Sequence, residues 1–245
     1  MKQRTLCLLA MVMSSLFFAV NTQAADWGTW LKSVGVDSSA SLKGTPVGDG
    51  LKEALKVGME KAVTALGRTD GYLKNNAVKI PLPERLRQME GLLRKVGLGG
   101  PMDELVVSMN RAAEKAAPSA REIFADAIVS MSIQDAQGLL QGLDTAATDY
   151  FKRTTSPKLA EFFKPVVRNA MSQYGVTQKY QAVGDRYKTL PFSRNFPLPD
   201  IEGYVVQRSL DGLFLTVANE ERAIRRDPAA RITPILKQVF GGVKN

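Results

Sequence analysis

Apolar residues recur every three or four positions from Leu51 onward, the spacing that places them on one face of an α-helix. The first such run carries Leu51, Leu55 and Leu66 on its apolar face and lysines on the opposite face. Further helices are predicted to begin near Pro83, Pro101, Ser119, Ser132, Asp144, Ser156, Thr177 and Pro199, before a short tail helix with Ile235, Leu236, Val239 and Phe240 on its apolar side. The sequence therefore predicts an all-α fold, with a single compact multi-helix domain over residues 51–245.

Local signals mark the ends of several of these helices. Gly67 and Gly175 are predicted to end two of them, because glycine readily adopts the left-handed conformation that closes a helix. Ser119 and Glu122 have the spacing of a capping box. Ser132 is predicted to cap the helix that follows it.

The segment 77–83, AVKIPLP, departs from the helical pattern. Pro81 and Pro83 restrict the residues before them to extended geometry. This is the one place where the sequence predicts a short extended segment or strand.

The first 24 residues have the layout of a secretory signal peptide. Lys2 and Arg4 precede an apolar run, and small residues suit cleavage between Ala24 and Ala25. The alternative is an uncleaved membrane anchor, but the run of about 15 residues is shorter than a membrane-spanning helix needs. We expect a soluble periplasmic protein in which residues 25–50 form a partly ordered lead-in.

Composition excludes most common catalytic designs. The chain has no histidine, and its one cysteine, Cys7, lies in the predicted leader. Ser-His-Asp triads, Cys-His pairs and the usual zinc, copper or haem sites therefore cannot form in the exported chain. No serine after the leader has a lysine three residues on, and no Gly-rich phosphate loop occurs. We expect neither a metal nor a cofactor.

Polar groups interrupt the apolar pattern of the helix predicted after Asp144. Asp149 and Tyr150 bring hydrogen-bonding groups onto a packed helix, and Arg153 lies one turn further on. One hypothesis is an inter-helix pocket in which these three side chains hold a small or lipid-like ligand. The alternative is structural, with Asp149 accepting a hydrogen bond from a buried donor or pairing with an arginine. Gly212, inside an apolar helix, similarly indicates close packing by another helix.

The chain is basic, with a formal net charge of +9. The charges are spread along helix faces, which favours an anionic envelope component over nucleic acid as a partner. Arg222, Arg225, Arg226 and Arg231 are candidate phosphate contacts, because guanidinium groups bind phosphate in a bidentate manner. At about 1 kcal/mol each near an anionic membrane, four such contacts reach only about millimolar affinity.

Seven sequence blocks resemble an uncharacterised family, domain of unknown function 4197, found mainly in Gram-negative bacteria. The blocks are GLKEAL at 50–55, IPLPE at 80–84, MNRAAE at 109–114, TAATDYF at 145–151, DGLF at 211–214, and DPAAR followed by LKQVF near the C-terminus. The resemblance implies an exported helical protein without an assigned activity. It carries no catalytic residues over to this chain.

Three functional hypotheses remain. The first is a non-enzymatic periplasmic protein that binds a ligand or partner in an inter-helix pocket. The second is a structural or adaptor protein that binds anionic surfaces or forms a homodimer. The third is a carboxylate-dependent hydrolase, which two acidic side chains could support. Glu220 and Glu221 are adjacent and so lie on different helix faces, which favours solvated positions over a catalytic pair.

Overall fold

A computed structural model of the chain describes residues 46–88, 90–189 and 200–227. The α-helices within these ranges are α1 (Pro46–Gly67), α2 (Glu84–Gln88), α3 (Glu90–Leu93), α4 (Gly99–Ala116), α5 (Ala120–Val129), α6 (Ile133–Gln141), α7 (Ala146–Gln173), α8 (Val176–Lys188) and α9 (Ile201–Arg226). A kinked turn, Arg94–Leu98, in which Gly97 has a φ of 86°, joins α3 to α4, and a turn of 3₁₀-helix, Ala117–Ser119, joins α4 to α5.

The predicted all-α, multi-helix fold is confirmed for this part of the chain, which contains no strand. The first helix begins at Pro46, five residues before the expected start of the helical region. Segment 77–83 begins in a turn and continues without regular secondary structure, so the suggestion of a strand is wrong. Buried Asn110 of α4 takes the place of a strand partner: its amide accepts from the Ile80 N–H and donates to the Ile80 carbonyl, both at 2.9 Å.

The core is built around the two longest helices, α7 and α9, which pack extensively against each other. Helix α9 also packs on α1, and α7 packs on α4 and α5. Phe124 of α5 lies at the centre, with its ring edge-on to Phe151 of α7 at 6.2 Å and to Phe214 of α9 at 6.1 Å. These aromatic contacts join three helices that are distant in sequence.

Helix α7 is continuous for 28 residues, so the break predicted at Ser156 and Pro157 is wrong. A proline inside a helix removes one backbone hydrogen bond and is normally unfavourable. Here the buried stripe runs through Phe151, Thr155, Leu159 and Phe163 without interruption. Packing of that stripe outweighs the local cost of the proline.

The signals at helix ends were only partly reliable. Helix α1 ends at Gly67, and α7 ends just before Gly175, whose φ of 65° is in the left-handed region. Ser132 and Asp135 form a complete capping box on α6. The box predicted at Ser119 does not form, because the 3₁₀ turn before α5 lets the Ser119 hydroxyl donate to a carbonyl of α4 instead.

Several predictions concern residues outside the described ranges. These are the signal peptide with its cleavage site at Ala24 and Ala25, the lead-in as far as residue 45, Arg231, and the tail helix. No helix of the described part is long and apolar enough to cross a membrane.

Candidate functional site

Asp149, Tyr150 and Arg153 lie on the first turns of α7, at the protein surface. Asp149 is exposed and accepts a hydrogen bond from the Thr145 hydroxyl at 3.3 Å. Half-buried Tyr150 stacks edge-on against Phe151, and the Arg153 guanidinium lies 5.8 Å from the centre of its ring. Partial burial raises the pKa of Tyr150. Tyr150 and Arg153 therefore meet, while Asp149 belongs to the helix start.

Asp135 of α6 is a further member of this surface cluster that the sequence did not indicate. Hydrogen bonds from Ser132 hold the pKa of Asp135 below its usual value, and the charge of Arg153 acts in the same direction. The cluster of Asp135, Tyr150 and Arg153 is thus explained by capping and stacking. Ligand binding by Asp149, Tyr150 and Arg153 stays a prediction.

The three described arginines of the predicted phosphate-binding group have different environments. Arg226 pairs with Asp144, and Arg222 donates to the Asn219 side chain at 2.9 Å. Arg225 is different, because only 11% of its side chain is exposed. It donates to the Leu139 carbonyl at 2.7 Å, at the end of α6, and so has a structural role.

Glu221 is buried on α9 and caps the N-terminus of α7. Its carboxylate accepts from the backbone N–H groups of Ala147 and Thr148, at 3.0 and 2.8 Å, and from the Thr148 hydroxyl at 2.7 Å. Arg225 donates to the same carboxylate at 3.0 Å. A negative charge at this position satisfies unpaired N–H groups and the positive end of the helix dipole. The expectation that Glu221 lies in solvent is therefore wrong.

Glu114 of α4 has an equivalent role in the α1–α2 loop, residues 68–83. One carboxylate oxygen accepts from the backbone N–H groups of Tyr72 and Leu73, both at 3.1 Å. Arg111 donates to the other oxygen at 2.7 Å and also to Asp70 of the loop at 2.7 Å. The loop is therefore fixed to α4 by a buried glutamate with an arginine partner.

Tyr72 fixes the same loop to α9. Its hydroxyl donates to the Ser209 carbonyl at 2.7 Å, and burial raises the pKa of Tyr72 far above its usual value. Its ring lies directly on Gly212, where a Cβ atom would come within 2.7 Å of a ring carbon and 3.1 Å of Val78. The close packing expected at Gly212 is confirmed, although the partner is a loop and not a helix.

A serine and a lysine that are distant in sequence also meet. The Lys179 ammonium lies 3.0 Å from the hydroxyl of buried Ser108, and both donate to the Tyr174 carbonyl at the end of α7. Lys179 is also 3.6 Å from Glu104. A serine nucleophile must face space open to a substrate, whereas this hydroxyl is buried against a helix end. The pair therefore caps α7. A search for a lysine three residues after a serine could not find it, because Ser108 and Lys179 are distant in sequence.

A cleft lies between α1 and α9. Its volume is about 320 Å³ when the open solvent at its mouth is included, and the part enclosed by side chains is much smaller. Only two of the residues around it carry charge, and most of the surface is aliphatic. The lining residues are Leu51, Ala54, Leu55, Gly58, Val217, Glu221, Ile224 and Arg225.

Gly58 creates part of the space in this cleft. A Cβ atom at this position would lie 3.4 Å from the end of the Ile224 side chain, so glycine leaves room where a larger residue would fill it. The apolar spacing placed Leu51 and Leu55 on the buried face of their helix and gave no indication of a cleft beside them. A glycine in the middle of an apolar helix was the one available signal.

No group of three or more potential metal-ligating side chains occurs in the part of the chain that the structure describes. Nor does any buried side-chain nitrogen or oxygen there lack a hydrogen-bond partner. The polar groups of the interior are therefore used internally, and the cleft offers mainly apolar surface.

Fold and site together define a class: an all-α protein whose interior carboxylates hold helix and loop ends, with an apolar cleft between α1 and α9. Residues 41–241 match the family described as protein of unknown function DUF4197, and the chain belongs to that family. No curated protein and no solved structure matches the chain significantly.

The structure explains the sequence blocks through which the family was recognised. IPLPE, MNRAAE and DGLF meet where the α1–α2 loop crosses α4 and α9, at Ile80, Asn110 and Gly212. TAATDYF forms the start of α7, which Glu221 caps, and GLKEAL lines the cleft. Most of these residue choices therefore have a structural reason.

Proposed function

We propose that this protein is an exported, non-enzymatic binding protein that takes the apolar part of a lipid-like ligand into the cleft between α1 and α9. The observation that carries the proposal is the lining of the cleft, where leucine, valine and isoleucine side chains surround the gap at Gly58.

The two charged residues at the cleft do not recruit a polar ligand. The Glu221 carboxylate already accepts hydrogen bonds from Ala147, Thr148 and Arg225. Arg225 is in turn held by Glu221 and by the end of α6. A polar ligand head group could bind here only by breaking these buried hydrogen bonds, at a cost in free energy. An apolar group could enter the cleft without breaking them.

The affinity expected from the cleft is weak, because the space enclosed by its side chains is small. Each methylene group that a ligand buries there contributes about 0.8 kcal/mol, so about five buried methylene groups are needed for a dissociation constant near 1 mM. The ligand is therefore one that is locally concentrated, as membrane-derived lipids are.

Binding is favoured over catalysis by the chemistry around the cleft. The chain has no histidine, and the carboxylate nearest the cleft, Glu221, is saturated by protein donors. Acid–base catalysis by carboxylates needs two such groups facing a reacting bond. The serine and lysine pair, Ser108 and Lys179, caps a helix and does not line the cleft.

Periplasmic location is part of the proposal and is supported by the leader sequence alone. N-terminal sequencing of the protein purified from its own host should find Ala25 as the first residue. Recovery of the uncleaved chain in the cytosol would exclude export.

The cleft is tested with phenylnaphthylamine, a neutral dye whose fluorescence rises in apolar surroundings, displaced by fatty acids of graded length. Val217→Phe fills the cleft from α9, where Val217 is buried. Val107→Phe makes the same change at an exposed position on α4 and is the matched control.

We expect the unmodified protein to bind the dye. Val217→Phe should weaken the affinity of the protein for the dye at least tenfold, and Val107→Phe should leave this affinity unchanged. Far-UV circular dichroism checks that both variants are folded. Absence of dye binding to the unmodified protein, or equal binding by the two variants, would exclude the cleft as a ligand site.

A further inference from the structure

We propose that the junction between α3 and α4 docks this protein onto the surface of an anionic phospholipid bilayer. The contact is made by three side chains, Leu92, Lys95 and Val96, which together form the junction surface. None of them lines the cleft between α1 and α9. The inference therefore goes beyond the proposed function and does not depend on ligand binding in the cleft.

Leu92 and Val96 are apolar side chains that face solvent, and each is 43% exposed. They are four residues apart, the same spacing as the ion pair that joins Glu90 to Arg94 at 2.7 Å across one helical turn. Leu92 and Val96 therefore lie one above the other on the same side of this turn. Lys95, three residues after Leu92, is exposed on that side as well.

The backbone at the junction projects from the helical body. Residues 91, 92 and 94–97 are all exposed. A Cβ atom added to Gly91 or Gly97 would meet nothing within 4 Å. Gly97 has a φ of 86°, in the left-handed region that glycine adopts readily, and the chain turns there toward α4. A flat surface such as a bilayer can therefore reach the side chains of the junction surface.

The inner side of the junction is fixed to the rest of the protein. Leu93 and Leu98 are buried in the hydrophobic core. The Arg94 guanidinium donates to both carboxylate oxygens of Asp103 on α4, at 2.6 and 3.1 Å. The junction surface is thus held in place before it meets a bilayer, and no segment has to fold on binding.

The charge of this region favours an anionic bilayer as the occupant. Residues 84–98 include four basic and two acidic residues. Each of the two acidic residues is paired with an arginine of the same segment. Lys95 lies next to the two exposed apolar side chains, and the whole chain has a formal net charge of +9. At an anionic bilayer, the burial of apolar groups and the attraction of a neighbouring basic residue both favour binding.

A second copy of the protein fits the junction surface less well. A stable protein interface buries about 800 Å² on each partner. Two aliphatic side chains that are less than half exposed supply only a small part of that area. A peripheral contact with a bilayer requires only a shallow insertion of such groups beside basic charge.

Vesicle flotation of the exported protein tests the docking. One set of vesicles contains phosphatidylglycerol and phosphatidylcholine in equal parts, and the other contains phosphatidylcholine alone. The first variant combines Leu92→Ser and Val96→Ser. The matched control combines Leu143→Ser and Val129→Ser, which replaces the same two residue types where they are 85% and 69% exposed, between α6 and α7 and at the end of α5.

We expect the unmodified protein to bind the anionic vesicles and not the neutral ones. Leu92→Ser with Val96→Ser should weaken binding to the anionic vesicles about tenfold, and the control pair should leave it unchanged.

A single replacement tests the charge. Lys95→Gln should weaken binding about fivefold, the contribution of one basic residue at an anionic surface. Lys152→Gln removes the same charge from an exposed position on α7. It should change binding by less than about twofold, because an exposed charge far from the contact is screened by salt.

Far-UV circular dichroism checks the folding of every variant, and light scattering measures its oligomeric state. Equal binding by the two double variants, no binding of the unmodified protein to anionic vesicles, or equal binding to both kinds of vesicle would overturn the inference. A dimer that becomes monomeric in Leu92→Ser with Val96→Ser would also overturn it, because a second copy would then cover the junction surface. Dye binding in the cleft is a separate measurement, so either proposal can fail while the other stands.

Discussion

Replacing Glu221 by glutamine tests whether the buried carboxylate holds α7 and α9 together. The carboxylate accepts from two backbone N–H groups and one hydroxyl at the start of α7, and from Arg225. Glutamine keeps the shape but places an NH₂ group against one set of these donors and leaves the Arg225 charge without its counter-ion. Only 7% of the Glu221 side chain and 11% of the Arg225 side chain are exposed, so water cannot compensate.

The expected loss of stability in Glu221→Gln follows from these contacts. Breaking a buried ion pair by removing one partner costs about 3–5 kcal/mol, and glutamine retains part of the hydrogen bonding. We expect Glu221→Gln to lower the free energy of unfolding by about 3 kcal/mol, which lowers Tm by about 6–12 °C in a protein of this size.

The neighbouring glutamate supplies the control. Glu220 is 30% exposed and lies 3.9 Å from Lys61, a surface pair of the kind that contributes little. Glu220→Gln should therefore change the free energy of unfolding by less than about 1 kcal/mol. Urea unfolding followed by circular dichroism measures both variants. Equal losses in the two would refute the argument that Glu221 caps α7 from the interior.

Three further predictions follow from other buried contacts. Gly212→Ala should cost about 1–2 kcal/mol, because its Cβ would meet a tyrosine ring carbon at 2.7 Å, whereas Gly138→Ala, which meets nothing, should stabilise by up to about 1 kcal/mol; equal urea midpoints would contradict this. Asn110→Ala should cost about 2–3 kcal/mol, since it leaves the buried backbone of Ile80 unpaired; an unchanged urea midpoint would exclude that role. Burial raises the pKa of Tyr180 to about 12, above the ordinary value near 10, so stability should be constant below about pH 10 and fall as pH rises toward 12. Tyr180→Phe should reduce the fall measured by urea unfolding at alkaline pH.

Glu114 and Glu221 show a shared principle of this fold. Each is a buried glutamate on one helix that accepts from consecutive backbone N–H groups of another segment, and each pairs with an arginine on its own helix. A carboxylate satisfies two N–H groups at once, while the arginine compensates its charge. Buried acids in this protein therefore fix chain segments in place.

Predictions from the local sequence pattern were confirmed where neighbouring residues alone determine the structure. The three- and four-residue spacing of apolar side chains found the helices, Gly67 and Gly175 marked two helix ends, and Ser132 capped α6. They failed at Pro157, because whether a proline ends a helix depends on what packs against the flanking turns. The local pattern also could not predict that Asp149 lies at the surface.

The sequence by itself determined the all-α class and the family of this protein, because helical periodicity and the recognised blocks are properties of neighbouring residues. Only the tertiary structure decided that Glu221 caps a helix start 73 residues away in sequence, and that Gly58 leaves a cleft against α9. A glutamate on an amphipathic helix has the same local pattern whether it faces water or another helix. Its role is set by which segment folding brings opposite it.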